Sequence, residues 1–170
     1  MSNIKDLRIE KITLNIGVGE PGDKLNKAMK LLETITNKKP VQTITMKRIP
    51  TWGVRPKLPI ACKVTLRGEE AEELLGRLLQ AIDNKLPEKK FDKEGNFSFG
   101  IEEYILIPGV QYNIDIGILG LEVAVTLSRI GYRVKRRVIH KTKVPSRHRI
   151  TKEEAMKFIN DKYGIVSEEK

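Results

Sequence analysis

The sequence predicts an α+β fold, a largely antiparallel sheet with helices packed on one face around a split β-α-β core of ferredoxin-like type. Three observations carry this. Segments that alternate apolar and polar residues are interleaved with segments of helical period, in the order strand, helix, strand, strand, helix, strand. Each alternating segment has one apolar phase, so only one face of the sheet needs covering. The chain of 170 residues, 39% hydrophobic and 32% charged, has material for one ordinary core and is short for two.

In Leu7–Val18, Ile12, Leu14, Ile16 and Val18 alternate with Lys11, Thr13, Asn15 and Gly17. Leu7 and Ile9 fall in the opposite phase, which requires a bulge near Glu10 or Lys11. Asp23–Thr36 reads as a helix with Leu25, Ala28, Met29, Leu32 and Ile35 on one stripe, stopped by Pro40. Val41–Lys47 reads as a strand with Ile44 and Met46 on one side and Thr43, Thr45 and Lys47 on the other. Pro50, Gly53, Pro56 and Pro59 make Arg48–Pro59 a loop. Ile60–Arg67 is the next strand, with Ile60, Cys62, Val64 and Leu66 inward and Ala61, Lys63, Thr65 and Arg67 outward.

Glu69–Asn84 is the clearest helix, with four glutamates in its first turns and Leu74, Leu75, Leu78, Leu79 and Ile82 as its stripe. A loop around Pro87–Asn96 leads to extended pieces at Phe97–Ile101 and Tyr104–Ile107, then to strands at Tyr112–Ile118 and Leu121–Ser128. Gly131 turns the chain into a basic arm. The last helix is Thr151–Tyr163, with a capping-box pair in Thr151 and Glu154 and a stop at Gly164.

Charge is segregated. The net charge is +10, yet Ile35–Gly68 holds eight basic residues and no acid, and Arg129–Arg149 holds nine and no acid. The other 115 residues carry 15 basic against 22 acidic side chains. Such separation is the footprint of a polyanion binder. An anionic membrane is disfavoured, because neither stretch has the apolar face of an interfacial helix, and no run approaches the roughly 18 apolar residues of a span. The N-terminus lacks a signal-peptide core and the lone Cys62 makes no internal disulfide, so the expected compartment is the cytosol. We expect residues 1–130 to form one α+β RNA-binding domain, with 131–170 a basic arm and helix extending it.

The outward phase of the strands collects Lys11, Thr13, Asn15, Thr43, Thr45, Lys47, Lys63, Thr65 and Arg67. A face of short polar side chains flanked by cations is flat enough for the wide, shallow RNA minor groove. A solvated face is the plain alternative; the near absence of acids favours a binding surface. In the arm, Arg133, Lys135, Arg136, Arg137, Lys141, Lys143, Arg147 and Arg149 are expected to meet RNA, with His140 and His148 as phosphate or base contacts. Trp52, in the basic loop, fits a hydrophobic plug and a stacking platform equally. No set of residues has catalytic or metal-binding spacing, and no cofactor or small-molecule substrate is expected. Gly17-Val18-Gly19-Glu20-Pro21-Gly22 matches G-x-G-x-x-G, but Glu20 would face a pyrophosphate and Pro21 offers no amide hydrogen. It reads as a glycine-rich turn, which leaves a nucleotide-dependent enzyme as the weaker rival and a generic basic RNA-binding protein as another.

Several blocks resemble a known family. Ile9–Glu20 (IEKITLNIGVGE), Asn37–Val41 (NKKPV), Gly53–Arg55 through Pro59-Ile60, Lys63–Gly68 (KVTLRG) and Gly95–Gly100 (GNFSFG) keep the order and spacing of ribosomal protein five of the large subunit, over about residues 6–130. The resemblance implies binding of 5S rRNA in the central protuberance through the sheet face, with contacts at Asn15, Lys38, Trp52 and Thr65. It also implies that the loop with Arg48, Gly53, Arg55 and Lys57 reaches P-site tRNA. Large-subunit rRNA and the neighbouring 5S-binding ribosomal protein are the other implied partners. The chain starts almost at once with the first strand, without the long N-terminal helix of bacterial members, and adds Gly131–Lys170; both features resemble the archaeal and eukaryotic branch.

Overall fold

The computed structural model describes residues 4–165, so residues 166–170 of the C-terminal extension lie outside it. Five strands, β1 (Leu7–Gly17), β2 (Val41–Ile44), β3 (Pro59–Leu66), β4 (Phe97–Ile101) and β5 (Leu121–Arg129), form one antiparallel sheet in the order β2-β3-β1-β5-β4. Three helices, α1 (Asp23–Thr36), α2 (Glu69–Gln80) and α3 (Lys152–Tyr163), cover one face. The order β2-β3-β1 is that of a split β-α-β unit. The strand after α2 does not complete it, however. β5 takes the place beside β1, and β4 lies outside it as an edge. Both strands carry a buried inward phase, Leu121, Val123, Val125 and Leu127 in β5 and Phe97, Phe99 and Ile101 in β4. β5 is the longer, nine residues against five, and pairs with β1 on one side and β4 on the other.

The register of β1 shifts between Ile9 and Lys11, where the sequence changes phase. That bulge keeps both Ile9 and Ile12 in the core. The helix-side phases of β1 and β3 meet Leu25, Ala28, Leu31, Leu32 and Ile35 of α1 and Ala71, Leu74, Leu75, Leu78 and Leu79 of α2. Met29 is only partly buried, and Leu31 takes the stripe position assigned to it. Thr151 accepts the Glu154 N–H at 3.3 Å while the Glu154 carboxylate accepts the Thr151 N–H at 3.1 Å, closing the capping box of α3. Gly164 ends α3 at φ 64°. Ala155 and Ile159 of α3 join the same core cluster.

Four segments depart from expectation. β2 stops at Ile44, three residues early, because the register breaks between Thr43 and Ile44, where its partner is Pro59. A proline has no amide hydrogen for the ladder. α2 ends at Gln80, and the chain turns through Asp83 and Asn84, both at φ 55°. Tyr104–Leu106 is a single 3-10 turn and not extended. Tyr112–Ile118 is not a strand: Asn113 organises a turn by accepting the Asp115 N–H on its side chain at 3.0 Å and the Ile116 N–H on its carbonyl at 3.1 Å. Of its alternating apolar residues only Ile116 is buried. Local side-chain bonding of this kind competes with a strand ladder.

Candidate nucleic-acid interface

The face of the sheet away from the helices is assembled from all five strands. Cross-strand pairing places Thr13 opposite Thr65 and Asn15 opposite Lys63, then Lys11 opposite Thr126, Thr13 opposite Ala124 and Asn15 opposite Glu122. Paired residues point to the same side, so the open face runs from Thr43 on β2 through β3, β1 and β5 to Ser98 and Gly100 on β4. The Thr13 and Thr65 hydroxyls lie 3.5 Å apart at its centre. Glu122 is the one acid of the paired positions, and its carboxylate accepts from the Asn15 side-chain amide at 3.2 Å. Sequence reasoning missed Ser98, Gly100, Glu122, Ala124 and Thr126, although they are the polar phase of segments whose apolar phase reads as inward.

Thr45 does not belong to this face. With β2 broken at Ile44 it turns inward and is buried; its hydroxyl donates to the Lys47 carbonyl at 2.8 Å and its N–H to the Leu58 carbonyl at 2.9 Å. Ile44 and Met46, expected inward, are exposed instead. Thr45 thus ties the two ends of the basic loop, and Lys47 sits exposed just beyond it. Lys38 is also away from the face, at the end of α1, where its ammonium pairs with Glu70 in the first turn of α2. Arg67 is exposed immediately after β3.

The loop between β2 and β3 is a small closed unit. Ile49 and Val54 exchange backbone hydrogen bonds of 2.9 and 3.1 Å around a 3-10 turn at Pro50–Trp52, and Gly53 closes it at φ 65°. Val54 is the residue that plugs the loop, at 5% exposure, whereas Trp52 is 75% exposed. The indole borders a shallow groove with Gly17, Gly19 and Ala61. Arg48, Arg55 and Lys57 are all exposed around it. The glycine turn beneath is unsuited to a pyrophosphate, because the Val18 and Gly19 N–H groups both donate to the Ile60 carbonyl at 2.9 Å. Glu20 is paired with Lys24 at 2.9 Å.

The arm is anchored at its root by Arg129, whose side chain is 6% exposed. Its guanidinium bonds Glu154 of α3 at 2.8 Å and donates to the His148 and Arg149 carbonyls at 3.4 and 3.3 Å. The backbone N–H of Thr151 first, and Arg129 with it, hold the Glu154 carboxyl below the usual carboxylate range. His148 is structural and not a surface contact: its Nε2 bonds the Ile130 carbonyl at 2.9 Å, and its ring packs on Tyr132. Tyr132 in turn accepts the Ile150 N–H at 2.9 Å. Further out, Arg136 makes a two-pronged pair with Glu10, the residue presented by the β1 bulge, and Lys135 pairs with Glu94 at 3.3 Å. Arg137 and Arg149 each donate Nε to an arm carbonyl, at 2.7 and 3.3 Å. Arg133, Lys141, Lys143 and Arg147, like His140, are exposed, and these four cations make no ion pair among the described residues.

Burial pushes the Cys62 thiol up to about 11, so it stays protonated inside the sheet. Among the described residues no cluster of three His, Cys, Asp or Glu side chains has the geometry to hold a metal, and no helix is long and apolar enough to cross a membrane.

Two family models match the chain, "Ribosomal protein L5" over residues 2–55 and the C-terminal part of the same ribosomal protein family over residues 59–158. Large ribosomal subunit protein uL5 of Nanoarchaeum equitans is 52% identical over 163 residues, covering 95% of this chain and 96% of that protein. The uL5 proteins of Sulfurisphaera tokodaii and Methanosphaera stadtmanae are 49% and 48% identical, over 95% and 94% of this chain and 92% and 95% of their own lengths. Proteins of this kind are structural, non-catalytic components of the cytoplasmic ribosome. An antiparallel sheet with one covered face, a nearly acid-free open face and a similarity spanning almost the whole length all lead to one assignment: the chain belongs to the L5 family of large-subunit ribosomal proteins.

Proposed function

We propose that this ribosomal protein binds 5S rRNA through the open face of its sheet and fixes it in the central protuberance, beside the other 5S-binding protein and large-subunit rRNA. The loop with Arg48, Gly53, Arg55 and Lys57 touches P-site tRNA. The observation that carries this reading is the open face itself, where Thr13, Thr65, Thr126, Ser98, Ala124 and Gly100 leave no bulky side chain at the centre. Hydroxyls and amides at such a surface reach the 2′-hydroxyls and phosphates of a minor groove, and flanking lysines neutralise phosphate charge. Trp52 offers a flat ring at the margin on which a base can stack.

Filter-binding titrations against 5S rRNA and a size-matched unrelated RNA, across salt, test the reading. Selective binding that persists as salt rises supports a shaped site; equal affinities that fall together reduce the protein to a generic basic RNA binder. Asn15→Ala and Thr65→Ala are each expected to weaken 5S binding by about 1–3 kcal/mol, the cost of leaving a partner group unpaired at a desolvated interface. An equal loss on the unrelated RNA would show that the face carries no specificity. Arg55→Glu should leave 5S affinity nearly intact while slowing translation by reconstituted ribosomes. Loss of 5S binding in that variant would remove the loop from the tRNA side.

A further inference from the structure

A groove of about 760 Å³ lies where the arm rises beside the β1–β5 end of the sheet. Lys11 and Thr126 line it, and because they pair across β1 and β5 they also belong to the open face, so the groove is a continuation of that face. Its charges are unequal. Two carboxylates line it, Glu10 and Glu94, and each has its own cation, Arg136 and Lys135. Glu10 is only 13% exposed, so Arg136 is the partner that makes its burial tolerable. That leaves Lys11, Lys141, Lys143 and Arg149 in the groove without an ion pair among the described residues. Cations gathered in a concavity focus their field outward and attract an anion more strongly than the same charges on a convex surface. Asn96 and Thr126 add polar groups to the lining, and the volume suits a nucleotide-sized group.

We infer that this groove holds a stretch of RNA backbone running off the open face, with its phosphates on Lys11, Lys141 and Lys143. Arg136 and Lys135 are tethers that fix the arm against the bulge and the β4 approach, not RNA contacts. The arm therefore acts as one wall of a built cleft, and its basic residues divide into two classes that charge alone does not separate. The inference rests on the reading of the sheet face as an RNA interface.

The test is the salt dependence of binding by the full chain to a 5S rRNA transcript and to a size-matched unrelated RNA. Each lost phosphate contact lowers the slope of log affinity against log salt by about one. Lys141→Gln/Lys143→Gln should therefore flatten the slope by about two, with an unchanged melting temperature, while Lys141→Arg/Lys143→Arg retains it. Glu10→Gln should act in the opposite sense, because it releases the Arg136 guanidinium into the groove and steepens the slope by about one. An unchanged slope in the glutamine double variant overturns the inference and leaves the groove to an acidic protein segment. If the wild-type chain does not distinguish the two RNAs, the 5S reading fails, and the slopes measured on either RNA still decide the groove.

Discussion

Gly95→Ala is expected to destabilise the protein by about 2–5 kcal/mol, lowering its melting temperature by roughly 4–20 °C for a chain of this size. Two costs add. Gly95 sits at φ 78°, where an L side chain costs about 1–2 kcal/mol. A Cβ there would lie 2.6 Å from Ile150 Cγ2 and 3.1 Å from Ala155 Cβ. Both neighbours are buried, so neither can swing aside, and overpacking of this kind costs about 1–3 kcal/mol. The close approach lets α3 seat on the lead-in to β4, next to Asn96, which accepts the Leu127 N–H at 3.3 Å. Thermal unfolding of Gly95→Ala, Ile150→Ala and the double variant checks the mechanism: removing Ile150 Cγ2 should recover part of the glycine's loss. Strict additivity would mean that the clash is not the cause.

Arg129→Ala is expected to cost about 2–3 kcal/mol, with most of the loss in the arm. The pair with Glu154 contributes little by itself, because that carboxylate is 45% exposed and returns to water. The larger part is the Arg149 carbonyl left without its donor and the packing of the arginine stem, which is buried. Limited proteolysis should show cuts at 133–147 while the core stays resistant; uniform protection would refute the anchoring role. The same link predicts acid sensitivity. Folding lowers the Glu154 pKa from an ordinary value of 4.5, so its contribution is complete above that pH and fades as pH falls through the depressed value. In Glu154→Gln this acid step should be absent.

The parts of this fold that were legible in the sequence are those set by neighbours along the chain. The phase change at Glu10, the stripe of α2 and the Thr151–Glu154 capping box each follow from a few adjacent residues. Tyr112–Ile118 shows the limit: its alternation is real, but Asn113 captures the backbone in a turn, and strand periodicity has no term for that competition. Thr45 failed for a second reason, since its side depends on Pro59 lying opposite Ile44. The division of the arm's cations was out of reach altogether. Glu10 and Arg136 are 126 residues apart, and nothing local marks them as partners. By contrast, the missed half of the open face was available, because assigning Val123 and Val125 inward already assigns Ala124 and Thr126 outward.

The central position of β1 has a consequence for synthesis. The first strand made must wait for both neighbours: Ile12 pairs with Leu66, and Leu7 with Arg129. At a translation rate of about 5–20 residues per second, the wait for β5 is on the order of ten seconds. During that time Ile12, Leu14 and Ile16 have at most one flank covered. Pairings so distant in the chain also make folding slow after release. A nascent chain of this topology therefore carries an uncovered β-edge from the making of β1 until Arg129 has been added, a template for pairing with other chains unless something shields it.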